Sequence, residues 1–215
     1  MSERTTARIL GVAVALTLTT WALLSVLIDT RFASAGPCPD VEVVFARGTN
    51  EPPGVGGVGQ AFIDSLRAQA RGRSVGAYAV NYPATDDFVR SSLAGAGDAR
   101  GHVQSTVANC PNTRMVLGGY SQGAGVIDMT TNDLPPQAAD HVAAVAVFGN
   151  PESTFARTLG GGRLPTISPL YQPKTIDLCV PDDPICSEGR NPTAHVLYVQ
   201  SGRTTQAANF AAGRL

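Results

Sequence analysis

The sequence predicts an α/β protein built on a parallel or mostly parallel sheet. Short apolar runs alternate along the chain with stretches of helical periodicity. Most of the runs are continuous Val, Ala and Leu rather than apolar alternating with polar, as in strands covered on both faces. No internal repeat and no low-complexity tract interrupts the alternation.

The strands expected from these runs span residues 41–46, 75–81, 115–119, 142–148 and 175–178. Helices are expected between and after them. Residues 60–71 carry Phe62, Ile63 and Leu66 on one face, and 98–108 form a weaker amphipathic stretch. Residues 122–131 follow the third strand directly, and 204–214 close the chain. In open sheets of this kind, sites form at the carboxyl ends of the strands.

The first 35 residues read as a segment apart from this fold. Arg4 and Arg8 precede an uncharged run from Ile9 to Ile28, and Ala33-Ser34-Ala35 is a small-x-small cleavage pattern. Residues 1–35 are therefore expected to be a secretory signal peptide, with residues 36–215 as the folded domain. The uncharged run is also long enough, as a helix of roughly 30 Å, to cross a bilayer. Retention at the cell envelope by an uncleaved anchor is the alternative to secretion. A domain of about 180 residues can bury one core and leaves little room for a large lid.

Composition excludes some classes. The chain has 16 Lys+Arg against 17 Asp+Glu, a formal net charge of −1, and 15% charged residues. Nothing here neutralises phosphates in number, so no nucleic-acid partner is expected. All four cysteines (Cys38, Cys110, Cys179, Cys186) fall after the leader, and an even count there reads as two disulfides. Three pairings exist. The simplest joins Cys38 to Cys110 and Cys179 to Cys186, whose loop-closure contributions are roughly 4.4 and 2.5 kcal/mol. The shorter ring would hold Asp182 and Asp183 in a fixed loop. Its C-x6-C spacing, and the lack of an H-E-x-x-H, argue against a metal site.

Two glycine motifs carry opposite weight. Gly54, Gly56 and Gly59 match G-x-G-x-x-G, but the first lies eight residues after Ala46, so the turn is not the tight one that brings a pyrophosphate to a helix. No acidic residue for a ribose follows at Asn81-Tyr82-Pro83. These glycines read as a flexible surface loop, and no cofactor is expected. Gly119-Tyr120-Ser121-Gln122-Gly123 matches G-x-S-x-G at an expected strand–turn–helix junction, the setting in which a nucleophile's hydroxyl projects clear of the sheet.

A Ser nucleophile on this architecture needs an acid and then a histidine later in the chain. Of three histidines, His102 precedes Ser121 on an expected helix and reads as solvated. His141 opens a strand and reads as structural. His195, in a loop after the second cysteine pair, is the one left. For the acid, Asp183 lies at the carboxyl edge of the sheet, with Asp182 adjacent and Asp177 within the strand. The pattern alone does not separate Asp182 from Asp183.

The segments Phe45-Ala46-Arg47-Gly48-Thr49, Gly119 to Ala124, and C-V-P-D-D-P-I-C from Cys179 to Cys186, followed by His195, resemble the cutinase family over essentially the whole mature chain. The resemblance is to the secreted cutinase-like esterases of mycobacteria. It implies a small α/β-hydrolase, a three-layer sandwich with a five-stranded parallel central sheet and no large lid. Carried over by motif, Ser121 is the nucleophile, Asp183 the acid and His195 the base. The resemblance also implies the disulfides Cys38–Cys110 and Cys179–Cys186. It implies an oxyanion hole from the Gln122 backbone N–H and Thr49, where fungal relatives typically carry Ser and where Thr is stiffer at χ1. The activity implied is hydrolysis of short- to medium-chain acyl esters by a monomer. Phospholipase A or longer-chain lipase activity, or lipid binding without catalysis, are the alternatives.

Overall fold

A computed structural model describes residues 38–162 and 164–215. The leader assigned to residues 1–35 lies outside them. Five strands form: β1 (Val41–Ala46), β2 (Val75–Ala79), β3 (Arg114–Tyr120), β4 (Val142–Phe148) and β5 (Thr175–Leu178). They make one sheet in the order β2-β1-β3-β4-β5, with every pair parallel. Strand β2 stops before residue 81, because the Asn81 N–H donates to the Asp98 carboxylate at 2.8 Å instead of to the sheet.

The helices are α1 (Gly56–Gln69), α2 (Phe88–Asn109), α3 (Gln122–Asp133), the short α4 (Thr154–Leu159) and α5 (Arg203–Ala212). Helix α1 starts at Gly56 rather than at residue 60, and two others differ more from the sequence expectation. Helix α2 begins at Phe88 rather than near residue 98, started by Asp87, whose carboxylate accepts the Arg90 N–H. Its first half carries small residues and glycines, which hide the helical period. Helix α4 has no amphipathic signature. It is started by Ser153, which accepts the Ala156 N–H at 2.9 Å, and by Glu188, distant in sequence, which accepts the Thr154 N–H at 2.8 Å.

Alternate residues of the central strands feed two cores. Val44, Met115, Leu117, Val145 and Val147 pack with Ala99 and Val103 of α2 and Ile127 of α3. On the opposite face Val43, Phe45, Val116 and Phe148 pack with Phe62, Ile63 and Leu66 of α1 and Ala207, Ala208 and Ala211 of α5. The Phe62 and Phe148 rings meet edge-on with centroids 5.8 Å apart, a pair that contributes about 0.5–1.5 kcal/mol beyond its burial. The result is three layers, helix–sheet–helix. Strand order reverses between β1 and β3, so a crevice opens outside their carboxyl ends.

Both disulfides are present, Cys38–Cys110 and Cys179–Cys186, with Cα separations of 5.6 and 5.8 Å. The first ties the start of the described chain to the end of α2. The second closes the loop after β5.

Candidate active site

Ser121 stands at the turn from β3 into α3 with φ 55° and ψ −121°, a left-handed conformation that a residue with a side chain adopts only under constraint. The constraint is visible in the flanking glycines. A Cβ on Gly119 would collide with the Gly123 backbone, and one on Gly123 would collide with the Ala46 and Arg47 carbonyls. The spacing G-x-S-x-G therefore reports a backbone crossing: α3 starts directly against the end of β1. The Ser121 N–H is held by the Phe148 carbonyl at 2.9 Å. That crossing sets the Ala46 and Arg47 carbonyls, at the end of β1, directly against Gly123.

Gln122 supplies the first N–H of α3, which helix geometry leaves without an intrahelical acceptor. Its side chain is locked. Its Nε2 donates to the Thr85 carbonyl at 2.9 Å, and its Oε1 accepts from Ser91 Oγ at 3.0 Å. Ser91 is buried and its Oγ also accepts the Thr85 N–H at 3.2 Å, so three residues close one hydrogen-bonded loop beside the elbow.

His195 lies in a 3-10 turn, Pro192–Val196, begun by Asn191, whose side chain accepts the Thr193 N–H. Its Nε2 is 2.8 Å from Ser121 Oγ, and its Nδ1 is 2.8 Å from Asp183 Oδ2 and 3.0 Å from Oδ1. The ring stacks on Tyr120 with centroids 5.0 Å apart, and the Tyr120 hydroxyl donates to the His195 carbonyl at 2.7 Å. Gly149, at φ 58°, leaves room for the ring, since a Cβ there would lie 2.9 Å from His195 Cε1.

Asp183 is fully buried. Asp182, its neighbour, takes φ 66° and is exposed, so the chain turns one carboxylate into the protein and the other out. Asp183 has three donors in all: the His195 Nδ1 already described, the Tyr198 hydroxyl at 2.6 Å and the Ile185 N–H at 2.8 Å. Burial opposes its ionisation, but the bonds from His195, Tyr198 and Ile185 outweigh it and hold the carboxyl below its usual range. Burial and the Asp183 charge together push the Tyr198 phenol up, so it remains a proton donor there.

Sequence reasoning missed Tyr198, Tyr120 and Ser91. Their contacts span long separations, and no local pattern marks them. Two other readings are corrected. His102 is not solvated: its Nε2 sits 3.0 Å from Glu42 Oε2 and its ring stacks on Tyr78 at 3.5 Å. The glycines Gly56 and Gly59 are not a flexible loop: Gly56 begins α1, and Gly59 lies in its first turns against the Phe45 ring. Asp177, the third carboxyl considered, faces Asn150 on β5 (Asn150 Nδ2 to Asp177 Oδ2, 3.1 Å) and not His195.

A groove of about 230 Å³ leads away from Ser121 along α3, past Gly125 and Met129. Its walls come from Val89 and Leu93 of α2 and from Leu159 of α4, with Leu164 beyond. The lining is almost wholly apolar.

A parallel sheet with a strained Ser at a β–α elbow, linked through a His to a buried Asp, defines an α/β-hydrolase. The family model described as "Cutinase" matches residues 37–215. "Carboxylesterase Culp1" of Mycobacterium tuberculosis (strain ATCC 25618 / H37Rv) is 61% identical over 216 residues, covering 100% of this chain and 98% of the relative. "Phospholipase Culp4" of the same strain is 52% identical over 193 residues, covering 85% of this chain and 81% of the relative. Among solved structures, Trichoderma reesei cutinase in complex with a phosphonate inhibitor superposes with a TM-score of 0.68 at 33% identity, covering 82% of this chain and 77% of that one. An acetylxylan esterase superposes with a TM-score of 0.70 at 25% identity, covering 82% and 99%. The chain belongs to the cutinase family.

Proposed function

We propose that this carboxylic ester hydrolase of the cutinase family cleaves short- to medium-chain acyl esters through Ser121, His195 and Asp183. One observation carries the reading: the His195 ring bridges Ser121 Oγ and the Asp183 carboxylate at 2.8 Å on each side. In the first half-reaction Ser121 Oγ attacks the ester carbonyl carbon while His195 Nε2 takes its proton. The Asp183 carboxylate fixes the tautomer and stabilises the imidazolium. The Gln122 N–H and Thr49 receive the oxyanion, a contribution of about 3–4 kcal/mol per donor in a comparable hydrolase. His195 returns the proton to the departing alcohol, leaving an acyl-enzyme. Water, activated by the same His195, then releases the acid and regenerates Ser121.

The apolar groove supports the chain-length reading. At about 230 Å³ it holds on the order of eight water-sized groups. Helix α3 carries the wall from Ser121 to Met129, roughly 12 Å. Val89, Leu93, Phe155 and Leu159 stay exposed, the first two and the last at the groove and Phe155 beside it on α4. That apolar rim and the relative named as a phospholipase favour a second reading, hydrolysis of a phospholipid acyl ester by the same triad. Two disulfides support a protein working in an oxidising compartment, and we take it to be a secreted monomer whose leader is residues 1–35.

The test is a chain-length series of p-nitrophenyl esters and a phospholipid panel, each run beside Ser121→Ala. Activity is expected to peak at short to medium chains and to fall by roughly 10⁶ in kcat for the variant. A preference for phospholipids would move the assignment to the second reading. Full esterase activity in Ser121→Ala would overturn both.

A further inference from the structure

We propose that Glu51 is a positioning residue of the oxyanion hole, holding the Gly48–Thr49 segment in register with Ser121 through its carboxylate. The proposal rests on the reading of Thr49 given above and extends it to a residue outside the triad.

The observation is a carboxylate shared between two backbone segments. Glu51 Oε2 accepts the Gly48 N–H at 2.6 Å, and Oε1 accepts the Gly57 N–H at 2.8 Å. Gly48 immediately precedes Thr49. Gly57 lies in the first turn of α1, where unpaired N–H groups and the helix dipole favour a negative charge. Glu51 thus ties the end of the β1 loop to the start of the helix that packs beneath it.

The surrounding sequence is shaped around this carboxylate. Gly56 takes φ 71°, and a Cβ on it would run into the Glu51 carboxyl group. A Cβ on Gly48 would lie 2.8 Å from the Tyr120 ring on one side and 3.3 Å from Glu51 Oε2 on the other. Gly56 of the G-x-G-x-x-G motif thus makes room for an acidic side chain of the protein's own. The Arg47 guanidinium does not pair with that carboxylate. It is buried and spends its donors on carbonyls, Nε to Glu51 O and an Nη to Tyr82 O, both at 2.8 Å. Residues 47 and 51 therefore clamp the loop from both ends, one through carbonyls and one through N–H groups.

Thr49 makes no side-chain hydrogen bond to the protein among the described residues, so its hydroxyl has no anchor of its own. Its placement depends on its backbone, and the backbone N–H just before it is held by Glu51. Tyr120 connects the same segment to the base: its ring packs on Gly48 and stacks on His195. A Gln at 51 keeps the shape, but its amide can accept only one of the two N–H groups and presents its own N–H₂ to the other.

The experiment compares wild type, Glu51→Gln, Thr49→Ala, the double variant and Ser121→Ala on a soluble p-nitrophenyl ester. It also measures inhibition by an alkyl boronic acid, whose tetrahedral serine adduct places an oxygen in the oxyanion hole. Glu51→Gln is expected to lower kcat by about 10- to 100-fold with KM changed less than about threefold, as for a misplaced transition-state donor. Boronate affinity should fall with kcat, and the double variant should lose little more than Thr49→Ala alone. Circular dichroism and Tm identify any variant that fails to fold, in which case Glu51→Ala and Glu51→Asp are measured in its place. Retention of kcat within twofold in Glu51→Gln, or losses that simply add to those of Thr49→Ala, overturns the proposal. A silent Thr49→Ala also overturns it while leaving the triad intact. An active Ser121→Ala shows instead that the underlying reading has failed, and this inference with it.

Discussion

Two aspartates among the described residues are withdrawn from water, and they lie in opposite electrostatic states. Asp183, in the loop after β5, is completely buried and held as a carboxylate by three donors. Asp128, in the middle of α3, is equally buried at 1% exposure, yet neither of its oxygens has a hydrogen-bond partner among the described residues. Burial pushes Asp128 up to about 8; Asn150 opposes the shift, and the Asp177 and Glu152 charges add to it. Burial alone therefore does not set the protonation state. The donors aimed at the carboxylate decide it, and of these two aspartates the fold gives three to Asp183.

The largest effect expected from breaking this contrast is at Asp183. Asp183→Asn keeps the shape but forces the wrong His195 tautomer, so kcat on a p-nitrophenyl ester should fall by about 10⁴ with little change in KM. A loss of less than tenfold would show that the carboxylate is not needed in that place.

The converse change is Asp128→Asn. The folded value near 8 lies above the unfolded value near 3.9, so the unfolded chain releases its proton first and stability drops as pH rises from about 4 to about 8. Asn removes that penalty. The variant should gain a few kcal/mol at pH 8, roughly 5–10 °C in Tm, and gain nothing near pH 4, with kcat unchanged. Calorimetric melts of both proteins across that range check the sign, and an equal gain at pH 4 would contradict it.

Tyr198→Phe is the smallest change. It deletes one of the three donors to Asp183 and leaves the ring buried between Phe148 and His195. A hydrogen bond to a charged group contributes about 1.5–3 kcal/mol, so kcat should fall about tenfold. The carboxyl would rise toward its ordinary value, and the acid limb of the pH–rate profile should move upward. An acid limb that stays in place would remove Tyr198 from the account.

Much of this was legible in the residues, and the reasons for the exceptions are physical. Strands β1, β3 and β4 announce themselves because both faces are covered. The elbow is readable because two glycines are required where backbones cross. Asp182 and Asp183 could not be separated by pattern, since the difference lies in one positive φ at 182 that turns the next side chain inward. Tyr198, Ser91 and Glu188 act across long chain separations, and the start of α2 is masked by Gly95 and Gly97. Asp128 sits on the buried side of α3, where periodicity predicts an apolar residue.

The central claim is that His195 and Asp183 make Ser121 the reactive hydroxyl of the molecule. The direct measurement is inactivation by a phosphonate ester followed by peptide mass spectrometry. The account predicts one adduct, on Ser121, formed in step with the loss of esterase activity and at least about a thousandfold more slowly in Asp183→Asn. Inactivation with the adduct on another residue, or an unchanged labelling rate in that variant, would contradict it.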